Sequence, residues 1–108
     1  MSEVSEKVEC KNPTEGKTPV KIEKWKYDVV RRAILNILKT QPDGVLFSEL
    51  SEMVAQNLSE YEKQNLGKVG WYTITVKLDL EVKGEIRRVE KSSPQRLIID
   101  AIQEENYD

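Results

Sequence analysis

Arg87, Arg88, Lys91 and Arg96 fall within ten residues of one another toward the C-terminal end of the chain. Guanidinium and ammonium groups at that density bind phosphate, and on a hairpin they can reach along a nucleic-acid groove. Glu85 and Glu90 dilute the cluster, so the same stretch also reads as a solvated hairpin of mixed charge. A second basic group, Lys21, Lys24, Lys26, Arg31 and Arg32, faces only Glu23 and Asp28. It would extend a phosphate-binding surface or form the solvated face of an amphipathic helix. Trp71 and Tyr72 can stack on bases, or fill a core or an interface.

Other chemistry is thinly provided for. The chain has no histidine and one cysteine, so a Cys/His zinc site cannot be assembled and the usual side chain for proton transfer near neutral pH is missing. Cys10 lies in a polar stretch with no partner in view, and reads as an unreactive thiol. Glu15-Gly16-Lys17-Thr18 echoes the end of a phosphate-binding loop, but Lys11 stands where that motif needs its first glycine. No pair of carboxylates stands out for acid–base work. No catalytic residue, cofactor or metal is expected, and the chain does not read as an enzyme.

At 108 residues there is room for one small domain. Apolar residues make up 38% and charged ones 33%, polar for a globular protein but short of a disordered composition. The net charge of −2 is unusual for a nucleic-acid binder, which is more often basic, although a net acidic chain can present a basic face. No apolar run approaches the roughly 20 residues of a membrane span. The first ten residues lack the apolar stretch of a secretory signal. A cytoplasmic protein with no membrane partner is the expectation.

Three segments must position these residues. Residues 23–39 carry Tyr27, Val30, Ala33, Ile34, Ile37 and Leu38 at helical spacing, and Pro42 with Asp43-Gly44 ends that helix. Val45-Leu46-Phe47 allows a very short strand. Residues 48–58 form a second helix, with Ser48 as N-cap and Leu50, Met53, Val54 and Leu58 on one face. Ser59 and Glu62 offer a capping box and Gly67 a stop, so 59–67 is a short helix or a long loop. Residues 71–83 are ambiguous. Strict alternation from Tyr72 to Lys83 argues for a strand. Trp71, Ile74, Leu78 and Val82, with Tyr72, Val76 and Leu80, also make two helical stripes. Leu, Glu and Lys favour a helix, as does Lys83-Gly84 at its end. Residues 85–91 and 96–102 read as two strands joined by the Ser92-Ser93-Pro94-Gln95 turn.

Helix, short strand, two helices and a hairpin form the order of a winged helix-turn-helix. Leu80, Gly84, Ile86 and Arg88 resemble the junction in that superfamily between recognition helix and first wing strand. The segment from Gly70 to Gly84, together with Asn12, Pro13, Gly16, Lys17 and Thr18, is similar to a group of small uncharacterised bacterial proteins. The resemblance decides for a helix over 71–83. It implies a mainly α fold with a small β-hairpin (α+β), and the chain is expected to divide into a disordered tail over 1–11, a winged-helix domain over 12–102 and a frayed acidic end over 103–108.

Two functions follow as expectations. The first is binding of double-stranded DNA, as in a transcriptional regulator, through Thr73, Lys77, Arg87, Arg88, Lys91 and Arg96. The second is protein interaction, as a homodimer or with another partner, through Trp71, Ile74, Leu78 and Val82. Two departures from a DNA-reading winged helix favour the second. About eleven residues, 59–69, separate the second and third main helices, where a short turn is usual. The third main helix is also apolar on two sides, and the stripe of Trp71, Ile74, Leu78 and Val82 needs cover, from the N-terminal segment, Trp25 or another chain.

Overall fold

The computed structural model describes residues 6–100. They form an α+β domain of four helices and two small antiparallel sheets. The chain begins with β1 (Lys7–Cys10) and β2 (Val20–Glu23), paired from Lys7↔Glu23 to Cys10↔Val20. The expected tail over 1–11 is therefore corrected: Lys7–Cys10 is a strand, and it buries Cys10 beside Ile22. Sequence pattern alone missed it because only Val8 and Cys10 alternate inward in a four-residue strand. The pairing partner, not local composition, fixes the strand.

Helix α1 (Lys24–Lys39) buries the stripe its spacing predicts, Tyr27 through Leu38. Its end is closed by Thr40, whose amide and hydroxyl both bond the Ile37 carbonyl. The chain then turns at Gly44 (φ 101°). A Cβ there would sit 3.2 Å from Ile98 Cγ2, so both the backbone angle and the sheet behind it require glycine. Strand β3 (Val45–Leu46) follows.

Helix α2 (Phe47–Asn57) starts one residue before the expected boundary and has no side-chain cap. Ser48 does not cap it, because the helix already includes Ser48 and Leu46 holds the cap position; the Phe47 amide is bonded instead to the Gln95 carbonyl. Helix α3 (Glu60–Leu66) has both halves of the Ser59–Glu62 capping box, so a helix, not a loop, occupies this stretch. Helix α4 (Val69–Lys83) begins two residues earlier than expected and ends at Gly84 in the left-handed conformation, with the Glu85 amide bonded back to Leu80.

Strands β4 (Ile86–Arg88) and β5 (Arg96–Ile99) are shorter than the expected 85–91 and 96–102. Val89–Lys91 belongs to the turn, where Lys91 takes φ 64°. Residues 101–102 and the 103–108 end lie outside the described residues. The second sheet has the order β3-β5-β4. Its core-facing Val45, Ile86 and Leu97 close one end of a core built from α1, α2 and α4, in which Val30, Ile34, Leu50, Val54, Val76 and Leu80 are fully buried. No helix among the described residues is long and apolar enough to cross a membrane.

Candidate interaction surface on helix α4

Helix α4 is surrounded on three sides, and its sequence is sorted against the usual rule. Val76 and Leu80 face the core. Alongside them Thr73, Lys77 and Asp79 are almost wholly buried, while Trp71, Ile74 and Val82 are 46%, 42% and 42% exposed. Leu78 is half-buried between them. At 100° per residue, the outward arc holds Trp71, Ile74, Leu78 and Val82, with Thr75 and Glu81 at its margins. Three polar side chains of this helix, Thr73, Lys77 and Asp79, thus point inward, and one of its two apolar stripes points out.

Each inward charge is matched. Asp79 accepts hydrogen bonds from the Lys11 amide (2.9 Å) and the Tyr27 hydroxyl (2.6 Å), and from the Lys83 ammonium. Burial alone would raise its pKa; those three donors outweigh burial and hold it below the ordinary value. The same cluster pushes Tyr27 up to about 12, through burial and its bond to Asp79. Burial and the Asp79 charge push Cys10 up to about 11. Cys10 is thus a free thiol, as expected, but it sits in the core beside an anion and not in a polar tail. Burial opposes the charge on Lys83, yet its bonds to Asp79 and Tyr27 raise its pKa.

On the other flank Lys77 is ion-paired with Glu81 and lies 4.4 Å from the Phe47 ring centroid. Burial lowers its pKa against the pull of Glu81. Glu81 also accepts from Arg88 at 2.9 Å.

These positions revise the residues expected to meet DNA. Thr73 and Lys77 are corrected: both are closed off from solvent by packing against the domain, so neither can reach a groove. Arg87 and Arg88 lie on opposite faces of β4, as neighbours in a strand must. Arg88 turns toward Glu81, whereas Arg87 shares a shallow depression with Lys39, Pro42 and Ile98. Arg96 is half-buried, with Nη1 3.4 Å from the Gly44 carbonyl oxygen. Arg87 and Lys91 are exposed and form no ion pair among the described residues. In the second basic group, Arg31 pairs with Glu85, just past the end of α4, and Arg32 with Glu62, which clamps α1 to that end of α4 and to α3.

The four residues expected at an interface are brought together on one face. The N-terminal hairpin does not cover them, since it docks on the Asp79 side of the helix. Trp25 does not cover them either. It is itself 38% exposed, and Lys26 lies between it and Tyr72, 5.7 and 4.9 Å from the two ring centroids. Tyr72 in turn meets Trp71 edge-on at 4.9 Å. The aromatic side chains form a shoulder beside the N-terminal end of the stripe. The reading of the sequence missed Asp79, although an acid on the same helical stripe as Tyr72, Val76 and Leu80 was a visible signal.

Fold and surface together define a small α+β domain whose fourth helix buries one apolar stripe and exposes another. The chain belongs to a family of unknown function (DUF6958), whose model matches residues 7–97. The match begins at the first residue of β1 and runs into β5, so the N-terminal hairpin is part of the family's domain. No curated protein and no solved structure matches the chain.

Proposed function

We propose that this chain is a winged-helix-like protein-interaction module that binds through the outer face of α4. One observation carries the reading: a helix that buries Thr73, Lys77 and Asp79 keeps Trp71, Ile74 and Val82 in solvent. A row of large apolar side chains on one exposed face marks a place where another surface sits. The element order α1-β3-α2-α3-α4-β4-β5 and the strand order β3-β5-β4 support the winged-helix assignment.

The test is a photo-crosslinking residue at position 78, introduced into the protein in its own cells. A crosslinked adduct with a protein is expected; the absence of any adduct overturns the reading. DNA binding is the second reading, supported by exposed Arg87 and Lys91 on the hairpin. It predicts salt-sensitive binding of mixed-sequence duplex DNA in an anisotropy titration, abolished by Arg87→Glu with Arg88→Glu. On the interaction reading the titration stays flat even at low salt.

A further inference from the structure

We infer that the occupant of the α4 face is a second copy of this chain, packed antiparallel across a two-fold axis near the middle of the helix. The inference rests on the interaction reading above and names its partner.

Charge comes first. Across a two-fold axis a residue near the axis meets its own copy, so a charge there would face a like charge. The outward arc of α4 contains one ionisable residue, Glu81, and that carboxylate is already held by Lys77 and Arg88. The stripe therefore meets itself without repulsion.

Shape comes second. The stripe is graded, with Trp71 at the N-terminal end and Val82 at the C-terminal end. A parallel pair would set Trp71 against Trp71 and leave Val82 against Val82, splayed at one end and gapped at the other. An antiparallel pair sets Trp71 against Val82 of the second copy at both ends, so the spacing is even. Beside Trp71 lies a shallow depression lined by Leu66, Gly67, Lys68 and Tyr72. Gly67 has open space where a Cβ would be, so the depression can receive the Val82 end of the other copy. Antiparallel helices also oppose their macrodipoles favourably.

Size sets the strength. Trp71, with nearly half its surface exposed, offers on the order of 100 Å². With Ile74, Leu78, Val82 and the Trp25–Tyr72 shoulder, each copy contributes on the order of 500 Å², at the small end of specific interfaces. An interface of that size suits a weak, reversible dimer, so association is followed from low micromolar concentration upward.

The experiment is sedimentation velocity on the full chain from low micromolar to sub-millimolar concentration. The mass should rise from one chain to two. Leu78→Asp, near the axis, should weaken association roughly tenfold or more by bringing like charges together, and Val82→Glu, separately, should do so by burying a carboxylate against Trp71 of the second copy. Lys39→Glu, on the far side, should leave it unchanged. Circular dichroism checks that each variant is folded; Val82, already exposed, serves should Leu78→Asp unfold. A wild-type chain that stays monomeric throughout overturns the dimer, as does a dimer indifferent to both α4 variants. Orientation is read from Val82→Cys. In the antiparallel pair the two introduced thiols lie about 16 Å apart along the helices and form no disulfide; rapid disulfide formation overturns that arrangement. The crosslink at position 78 separates the two levels of failure. An adduct of the mass of two chains agrees with the dimer. An adduct with a different protein overturns the second copy and leaves the interaction reading standing, and no adduct removes both.

Discussion

The backbone amide of Lys11 donates a 2.9 Å hydrogen bond to the carboxylate of Asp79, and the same carboxylate takes the Tyr27 hydroxyl on its other oxygen. Three parts of the chain, the end of β1, the first turn of α1 and the middle of α4, thus share one anion. The N-terminal hairpin is fastened to the helix bundle by a point charge as well as by the packing of Cys10 and Ile22.

Asp79→Asn keeps the shape and removes the charge. It should cost about 3 kcal/mol, because Lys83 loses its partner and the buried donors lose part of their acceptor capacity. Urea denaturation measures the loss. Hydrogen exchange should show it concentrated at Val8–Lys11 and the β2 amides paired to them.

Stability should fall at both ends of the pH scale. The folded Asp79 carboxyl lies below its ordinary 3.8, so the unfolded chain binds its proton first. The stabilisation is complete above that value and is lost as pH falls through it toward the folded one. Cys10 and Tyr27 shift the other way, from 9.0 to about 11 and from 10.0 to about 12. The folded state keeps these protons longer, so their contribution is complete below the unfolded values and is lost as pH rises through the folded ones. Chemical denaturation across pH checks this, and Asp79→Asn should flatten the acid limb.

The Cys10 thiol should resist alkylation at neutral pH in the native protein. It is 3% exposed and its ionisation is suppressed. Labelling by a maleimide should follow opening of the N-terminal hairpin and accelerate in Asp79→Asn. Fast labelling of the folded wild type contradicts the placement of β1.

Thr73→Val should stabilise the domain by about 1 kcal/mol. The Thr73 hydroxyl oxygen is buried with no hydrogen-bond partner among the described residues, and an isosteric methyl removes its desolvation cost. Thermal unfolding reads the gain.

Lys77 and Glu81 should respond unequally to loss. Glu81→Ala strands a buried ammonium and should cost about 3 kcal/mol. Lys77→Met leaves Glu81 with Arg88 and fills the same space beside Phe47, so it should lie within about 1 kcal/mol of the wild type. Paired denaturation curves decide.

Much of the helical frame was legible because its signals are local. The stripe from Tyr27 to Leu38, the Ser59–Glu62 box and Gly84 each act within a turn or two. The short strands were less so: β1 exists because β2 is beside it, and the hairpin strands stop where pairing stops. The stripe Trp71–Ile74–Leu78–Val82 was readable as a stripe, but periodicity did not say which of α4's two apolar faces would go inside. That depended on Asp79 and Lys77, which look like surface residues until Tyr27, the Lys11 amide, Glu81 and Phe47 are brought to them by tertiary contact. The basic cluster dispersed for the same reason, since a strand sends Arg87 and Arg88 to opposite faces.

The Lys11–Asp79 bond joins residues 68 positions apart, and Tyr27–Asp79 and Arg31–Glu85 span 52 and 54. During synthesis the first strand emerges long before the helix that holds it. Its fastening must wait until α4 has left the ribosome, so the N-terminal segment docks late in folding. Long loops must close before those contacts form, which slows the final step relative to the helices. A ribosome stalled before residue 79 would display the N-terminal strand still unfastened from the helix that holds it.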